Sequence, residues 1–133
     1  MQKLKSALLA AVVAAPLALF AATPGVAAAP AHRVASVKLT GYTRVVKGVT
    51  HYRSLGAVHA TMQILPRRSG QVTVSLQHRS GQKWITDQTA TFATTTTGSA
   101  WVGLVSGNRK WTYRYVVSTV ASPRVATPAF IVD

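Results

Sequence analysis

The 133-residue chain contains no cysteine, and this absence limits both its fold and its chemistry. Without thiols there is no disulfide to compensate for a small core, so stability must come from hydrophobic packing. A cysteine nucleophile is excluded. Attachment of a lipid to a cysteine at a signal cleavage site is excluded as well.

Acidic residues are almost as scarce: Asp87 and Asp133 stand against 15 lysines and arginines, and the formal net charge is +13. Glycoside hydrolysis usually needs two positioned carboxylates, and calcium sites and magnesium-dependent phosphoryl transfer also rely on them. The sequence has no Gly-x-Ser-x-Gly elbow for a nucleophilic serine either. We therefore predict a protein that is not an enzyme, with no catalytic residues and no cofactor.

The histidines are scattered rather than spaced as zinc ligands, so no metal site is predicted. The four are His32, His51, His59 and His78, and we expect them to be surface imidazoles on an exposed sheet face. The alternative is an approach of His59 to His78, because these two fall on neighbouring predicted strands. Asp87 is expected to pair with a nearby arginine or lysine, or to lie at a bulge in its strand.

Long hydrophobic runs are confined to the N terminus. Lys3 and Lys5 precede an apolar stretch that Pro16 interrupts, and small residues follow, which is the pattern of a secretory signal peptide. Small residues at positions −3 and −1 allow cleavage after Ala28 or after Ala31. An uncleaved anchor helix is the alternative, although anchors usually have about 20 uninterrupted apolar residues.

This pattern predicts three segments: a signal peptide over 1–28, a flexible leader over 29–35 and one domain over 36–133. The protein is then expected to be secreted, without stable insertion in a membrane after cleavage.

After the leader, Val, Thr, Tyr and Trp alternate with period two, which favours strands. Ser80 and Gly81 have the composition of a hairpin turn. The pattern predicts an all-β fold, a two-sheet antiparallel Ig-like sandwich of about seven strands, with a closed barrel as the alternative. The predicted strands cover 34–40, 43–46, 56–65, 71–79, 83–94, 99–105, 109–120 and 129–132.

The segment 72–84, VTVSLQHRSGQKW, resembles the V-x-L-Q-x-R-x-G-x-x-W hairpin of Ig-like β-sandwich modules in secreted actinobacterial proteins. The segments 98–100 and 111–115 resemble the continuation of that module, and the similarity extends over roughly 58–120. The resemblance implies a structural, adhesive or accessory binding role, because these motifs fill a core and form a turn.

The aromatic residues have different predicted places. Trp84 and Trp111 are expected in the core, and Tyr113 or Tyr115 is expected to form a tyrosine-corner hydrogen bond. Trp101 faces outward if its neighbours at 100, 102 and 104 face the core, and it is buried if the register is shifted.

The basic charge indicates a polyanion partner or serves only solubility. A binding surface would combine rings for stacking with cations for anionic groups; the candidate binding residues are Trp101, Tyr42, Arg44, Lys47, Arg109 and Lys110. The expected function is a structural or binding role at the cell envelope or outside the cell. The expected partners are an anionic cell-wall polymer, a glycan or another protein, and nucleic acid only through non-specific charge.

The alternative function is a small secreted protease inhibitor or a cationic antimicrobial or effector protein. An inhibitor would present a rigid exposed loop, and the best candidate contains Pro66, Arg67 and Arg68. The threonine run 94–97 is either a solvated loop or a site of O-glycosylation.

Overall fold

Strands account for most of the described chain, which in the computed structural model comprises residues 2–4 and 31–133. Its elements are β1 (Gln2–Leu4), β2 (Arg33–Thr40), β3 (Arg44–Val46), β4 (Val49–Tyr52), a 3₁₀ turn (Leu55–Ala57), β5 (His59–Leu65), β6 (Gln71–Ser80), β7 (Lys83–Ala93), β8 (Ser99–Leu104), β9 (Thr112–Ser118), β10 (Val125–Ala126) and β11 (Phe130–Val132).

The strands form two sheets. Sheet A has the order β1-β8-β5-β2, and sheet B has the order β3-β4-β11-β9-β6-β7, with β10 paired to β9. Neighbours are antiparallel except for β1 beside β8 and β11 beside β4. The predicted all-β fold with two mostly antiparallel sheets is therefore confirmed.

The core lies between the sheets, where the alternating apolar residues of both meet. Val72, Val74 and Leu76 of β6 are buried, and so are Ala60 and Ile64 of β5, as the period of two requires. Gly81, at a φ of 62°, forms the β6–β7 turn, as the Ser80-Gly81 pair predicts.

Some boundaries differ from the prediction. Strand β4 was not predicted, although it contains the fully buried Tyr52. Strand β2 begins at Arg33, inside the predicted leader, because Arg33 pairs with Leu65 of β5. Residues 5–30, with the cleavage position at Ala28, lie outside the described residues.

A bulge in β7 corrects the predicted orientation of Trp84. Leu76 pairs with Gln88, whereas Gln77 pairs with Thr86, so Asp87 is an extra residue in the strand. The side chains before the bulge therefore change face. Trp84 leaves the core and lies on the outer face of sheet B, with the Arg114 guanidinium 4.4 Å from its ring centroid.

Trp111 is also not a core residue: it is 45% exposed. Its side chain is on the same face as Tyr113, as the alternation predicts, and the two rings stack with 6.3 Å between centroids. Trp111 is nevertheless exposed because it precedes β9 and lies beyond the end of the core. Of the two tyrosines predicted to bond the backbone upstream, Tyr113 does so: the Asn108 N–H donates to its hydroxyl at 2.6 Å.

The threonine run divides between core and surface. Thr94 is buried and its hydroxyl accepts a hydrogen bond from the Gly70 N–H at 2.9 Å, so Thr94 is closed to glycosylation. Thr95, Thr96 and Thr97 are exposed.

Candidate anion-binding site

Two strands at one edge of sheet B bring arginine and histidine together. The β3–β4 connection is a two-residue turn, with Lys47 at a φ of 51° and Gly48 at 81°. Positive φ at both turn positions matches the twist of a tight hairpin. The hairpin sets Arg44 opposite His51, and both side chains point away from the core.

The end of the chain supplies the carboxylate of this site. Strand β11 pairs with β4, and the Asp133 N–H donates to the Tyr52 carbonyl at 2.9 Å. This bond places the Asp133 side chain beside β4. His51 Nδ1 lies 2.9 Å from Asp133 Oδ1, and Arg44 Nη2 lies 3.2 Å from Oδ2.

The loop between β8 and β9 brings further cations to the same place. The Arg109 guanidinium donates to the backbone carbonyl of Asp133, and the Lys110 N–H donates to the Val132 carbonyl at 2.8 Å. We call Arg44, His51, Arg109 and Lys110 the basic cluster. Arg44, Arg109 and Lys110 outnumber the Asp133 side-chain carboxylate beside them, so the cluster keeps a positive excess at neutral pH.

The basic cluster lowers the pKa of the Asp133 side chain beside it. The hydrogen bond with His51 is the largest cause that holds the pKa of Asp133 below its ordinary value of 3.8; burial opposes it, and the charges of His51, Arg44 and Lys110 add to it. Asp133 therefore stays ionised at neutral pH and holds the Arg44 guanidinium in one place, while most of the Arg44 side chain, 62%, remains exposed.

The lowered pKa predicts a specific acid sensitivity. Because ionised Asp133 is favoured in the folded state, its contribution to stability is complete above the ordinary pKa and is lost as pH falls through the lower folded value. We expect Asp133→Asn to be less stable than the parent at pH 7 and to lose less stability between about pH 5 and pH 2. Urea unfolding across this range measures the difference.

The control for this prediction is Asp87→Asn, because the chain has only two acidic residues. This variant removes the other side-chain carboxylate and should retain the acid sensitivity that comes from Asp133. An Asp133→Asn variant with the same pH slope as the parent would contradict the prediction.

The structure brings some of the predicted binding residues together and separates others. Arg44, Arg109 and Lys110 meet around Asp133. Tyr42 is 48% exposed and packs edge-on against the buried Tyr52, with 6.4 Å between ring centroids.

The remaining two predicted binding residues lie elsewhere. Lys47 stands exposed at the tip of the β3–β4 hairpin. Trp101 lies on the outer face of the other sheet, because Val102 and Leu104 are buried in the core. The six residues thus do not form one surface.

The Pro66-Arg67-Arg68 loop bends sharply. The Arg68 N–H donates to the Pro66 carbonyl at 2.8 Å, which closes a three-residue turn with Arg67 at its centre. A loop that is bound by strand addition must present an extended backbone to its partner. The bend therefore gives no support to the inhibitor alternative, although Arg67 is exposed.

The alternative in which His59 approaches His78 does not occur. His59 lies in sheet A and His78 in sheet B, because the chain crosses between the sheets after β5. His78 Nδ1 instead lies 2.8 Å from both carboxylate oxygens of Asp87, so the partner of Asp87 is neither arginine nor lysine. Within residues 31–133, no three histidine or acidic side chains gather closely enough to hold a metal ion.

Sequence reasoning did not find the contacts of His51 and Asp133. His51 was one of several scattered histidines, and Asp133 is separated from it by 82 positions. No local pattern indicates such a contact, because it depends on the parallel pairing of β11 with β4.

No protein-family model, curated protein or solved structure matches this chain. In the part of the chain that the structure describes, there is no helix of the length and apolar character needed to cross a membrane.

Proposed function

We propose that the chain is an exported, non-catalytic Ig-like module that binds an anionic polymer of the cell envelope through the basic cluster. The observation that carries this proposal is the convergence of Arg44, from strand β3, with Arg109 and Lys110, from the loop between β8 and β9, at Asp133. Basic residues that served only solubility would not need to be brought together from distant segments of the chain.

The geometry of the cluster suits a chain of anionic groups. Asp133 holds Arg44 by an ion pair and Arg109 by a hydrogen bond. The two arginine side chains therefore lose less conformational freedom when a ligand binds. Arginine forks pair well with phosphate and carboxylate oxygens.

The order of the strands supports an Ig-like sandwich. The chain crosses between the sheets from β2 to β3, from β4 to β5, from β5 to β6, from β7 to β8 and from β8 to β9, as Greek-key sandwiches do. The bond from the Asn108 N–H to the Tyr113 hydroxyl at the start of β9 is of the tyrosine-corner kind.

Binding to a poly(glycerol phosphate) wall polymer tests the proposed function. We expect retention of the protein at about 20 mM salt and a steep loss of affinity toward 500 mM, because phosphate contacts are exchanged for salt ions. The variant R44Q/R109Q/K110Q should weaken binding about tenfold or more at 100 mM salt. Affinity chromatography and calorimetry measure both effects.

The matched control is R67Q/K83Q/R124Q, which removes two arginines and one lysine from exposed positions away from the cluster. Its affinity should fall less than about threefold, through the general field alone. Equal losses in the two triple variants, or no retention at low salt, would contradict the proposal.

Export is tested separately. Expression of the full chain in a secreting host should release a shortened protein whose first residue is Ala29 or His32, as N-terminal sequencing will determine. Intact protein that stays with the cells would contradict the export part of the proposal and leave the binding part to its own test.

A further inference from the structure

The outer face of sheet A carries an ordered set of side chains that the basic cluster does not use. The register of β2, β5 and β8 places Lys38, Thr61 and Trp101 in one row across the sheet. The next row contains Gln63 and Ser99.

Trp101 is held in position on two sides. A Cβ atom on Gly103 would lie 3.5 Å from Cζ3 of Trp101, so the indole rests over this small residue. His59 packs edge-on against the ring at 5.0 Å between centroids. Trp101 is therefore half-buried and restrained, and it loses little freedom when a ligand stacks on it.

A depression of about 400 Å³ lies next to the ring, within the range of small-molecule sites. Besides Trp101 and Lys38, its lining includes the hydroxyl residues Ser36, Thr61 and Ser99 and the apolar residues Met62, Phe92 and Ala100. An aromatic ring beside several hydroxyls is suited to a ligand with an apolar face and a polar rim.

Lys38 supplies the charge of this depression. It is exposed and has no carboxylate partner among the residues that the structure describes. Two strand spacings separate it from Trp101, about 10 Å between Cα atoms, with Thr61 between them. A ligand that lies on the indole can extend an anionic group over Thr61 to the lysine ammonium.

We propose that this depression binds an acidic pyranose unit of a polysaccharide. The C–H face of the sugar ring stacks on Trp101, and its carboxylate pairs with Lys38. Between these two contacts, the Thr61 hydroxyl forms a hydrogen bond with the sugar ring. A single-stranded nucleic acid also stacks on aromatic rings, but its repeated phosphates require a charged groove. Lys38 is the one charged residue among the described residues that line the depression.

Tetragalacturonate and its methyl ester are the probes, because they differ in charge but share the sugar ring. At 150 mM salt we expect the acid to bind at least five times more tightly than the ester and to shift the Trp101 indole N–H signal in NMR spectra. K38Q should abolish the preference for the acid, as measured from the Trp101 signal, while the ester binds as before. W101A should abolish binding of both.

The control is W111A, which removes an exposed tryptophan outside the depression and should leave both affinities unchanged. The exposed position of Lys38 makes K38Q a test that does not depend on how W101A folds. Equal binding of acid and ester by the parent, an unchanged preference in K38Q, or tighter binding of a thymidine oligonucleotide would overturn the proposal.

The two binding surfaces are tested independently. In R44Q/R109Q/K110Q, tetragalacturonate should shift the Trp101 indole signal with the same affinity as in the parent, and K38Q should bind poly(glycerol phosphate) as the parent does. Loss of sugar binding in the cluster variant would show that the acidic sugar is held by the basic cluster and would overturn the site on sheet A.

Discussion

Replacing Phe130 with alanine is expected to lower the free energy of unfolding by about 3–5 kcal/mol. Phe130 is fully buried and contacts three tyrosine rings, with centroids 5.7 Å from Tyr52, 5.8 Å from Tyr113 and 5.4 Å from Tyr115. Alanine would remove the common partner of all three. The three tyrosine rings cannot move together to fill the cavity, because Tyr52 is held in β4 and the other two are held in β9.

The loss should be large because nothing else in the chain compensates for it. There is no disulfide, and β11 joins β4 to β9 through only a few residue pairs. For a domain of about 100 residues, the expected change corresponds to a fall in melting temperature of more than about 12 °C. Urea unfolding followed by circular dichroism measures it.

Trp111→Ala is the matched comparison for this prediction. It deletes a larger ring, but one that is 45% exposed at the end of the sandwich. We expect a loss of about 1 kcal/mol or less. If Trp111→Ala proved as costly as Phe130→Ala, the core would extend to Trp111, as the alternation of residues alone predicts.

Two conservative substitutions are expected to change stability in opposite directions. Tyr115 is fully buried, and its hydroxyl has no hydrogen-bond partner among the residues that the structure describes. Burial, and to a smaller extent the nearby Tyr52, raises the pKa of Tyr115 above its ordinary value. Tyr115→Phe removes an unpaired polar group and should leave stability unchanged or raise it by about 1–2 kcal/mol.

Tyr113→Phe makes the same chemical change with the opposite expected result. The Tyr113 hydroxyl accepts the Asn108 N–H at 2.6 Å, and this bond fixes the turn before β9. Its loss should lower the free energy of unfolding by about 1–2 kcal/mol. Urea unfolding of both variants and of the parent measures the two changes in stability. A destabilised Tyr115→Phe would mean that the Tyr115 hydroxyl has a partner, such as an internal water.

Local pattern was sufficient for much of the fold. Alternation alone placed Val72, Val74 and Leu76 in the core and put Trp101 on the opposite face from Val102, because successive side chains of a strand point to opposite sides. Gly81 marked the β6–β7 hairpin because its positive φ is a local property of the residue.

The same reasoning failed where the strand departs from regular pleating. The alternation that correctly buries Phe92 also predicts a buried Trp84, and the extra residue Asp87 between them turns Trp84 outward. Strand β4 was overlooked because Val49–Tyr52 is too short to show a clear period.

The sequence by itself thus determined the class of the fold, the scarcity of acids and the excess of positive charge. Only the tertiary structure decided where that charge gathers: it brings Arg44, Arg109 and Asp133 together and leaves Trp101 on the other sheet with Lys38. The physical reason is that alternation acts between neighbours in the chain, whereas these contacts join segments that only strand pairing and the crossing between sheets bring close.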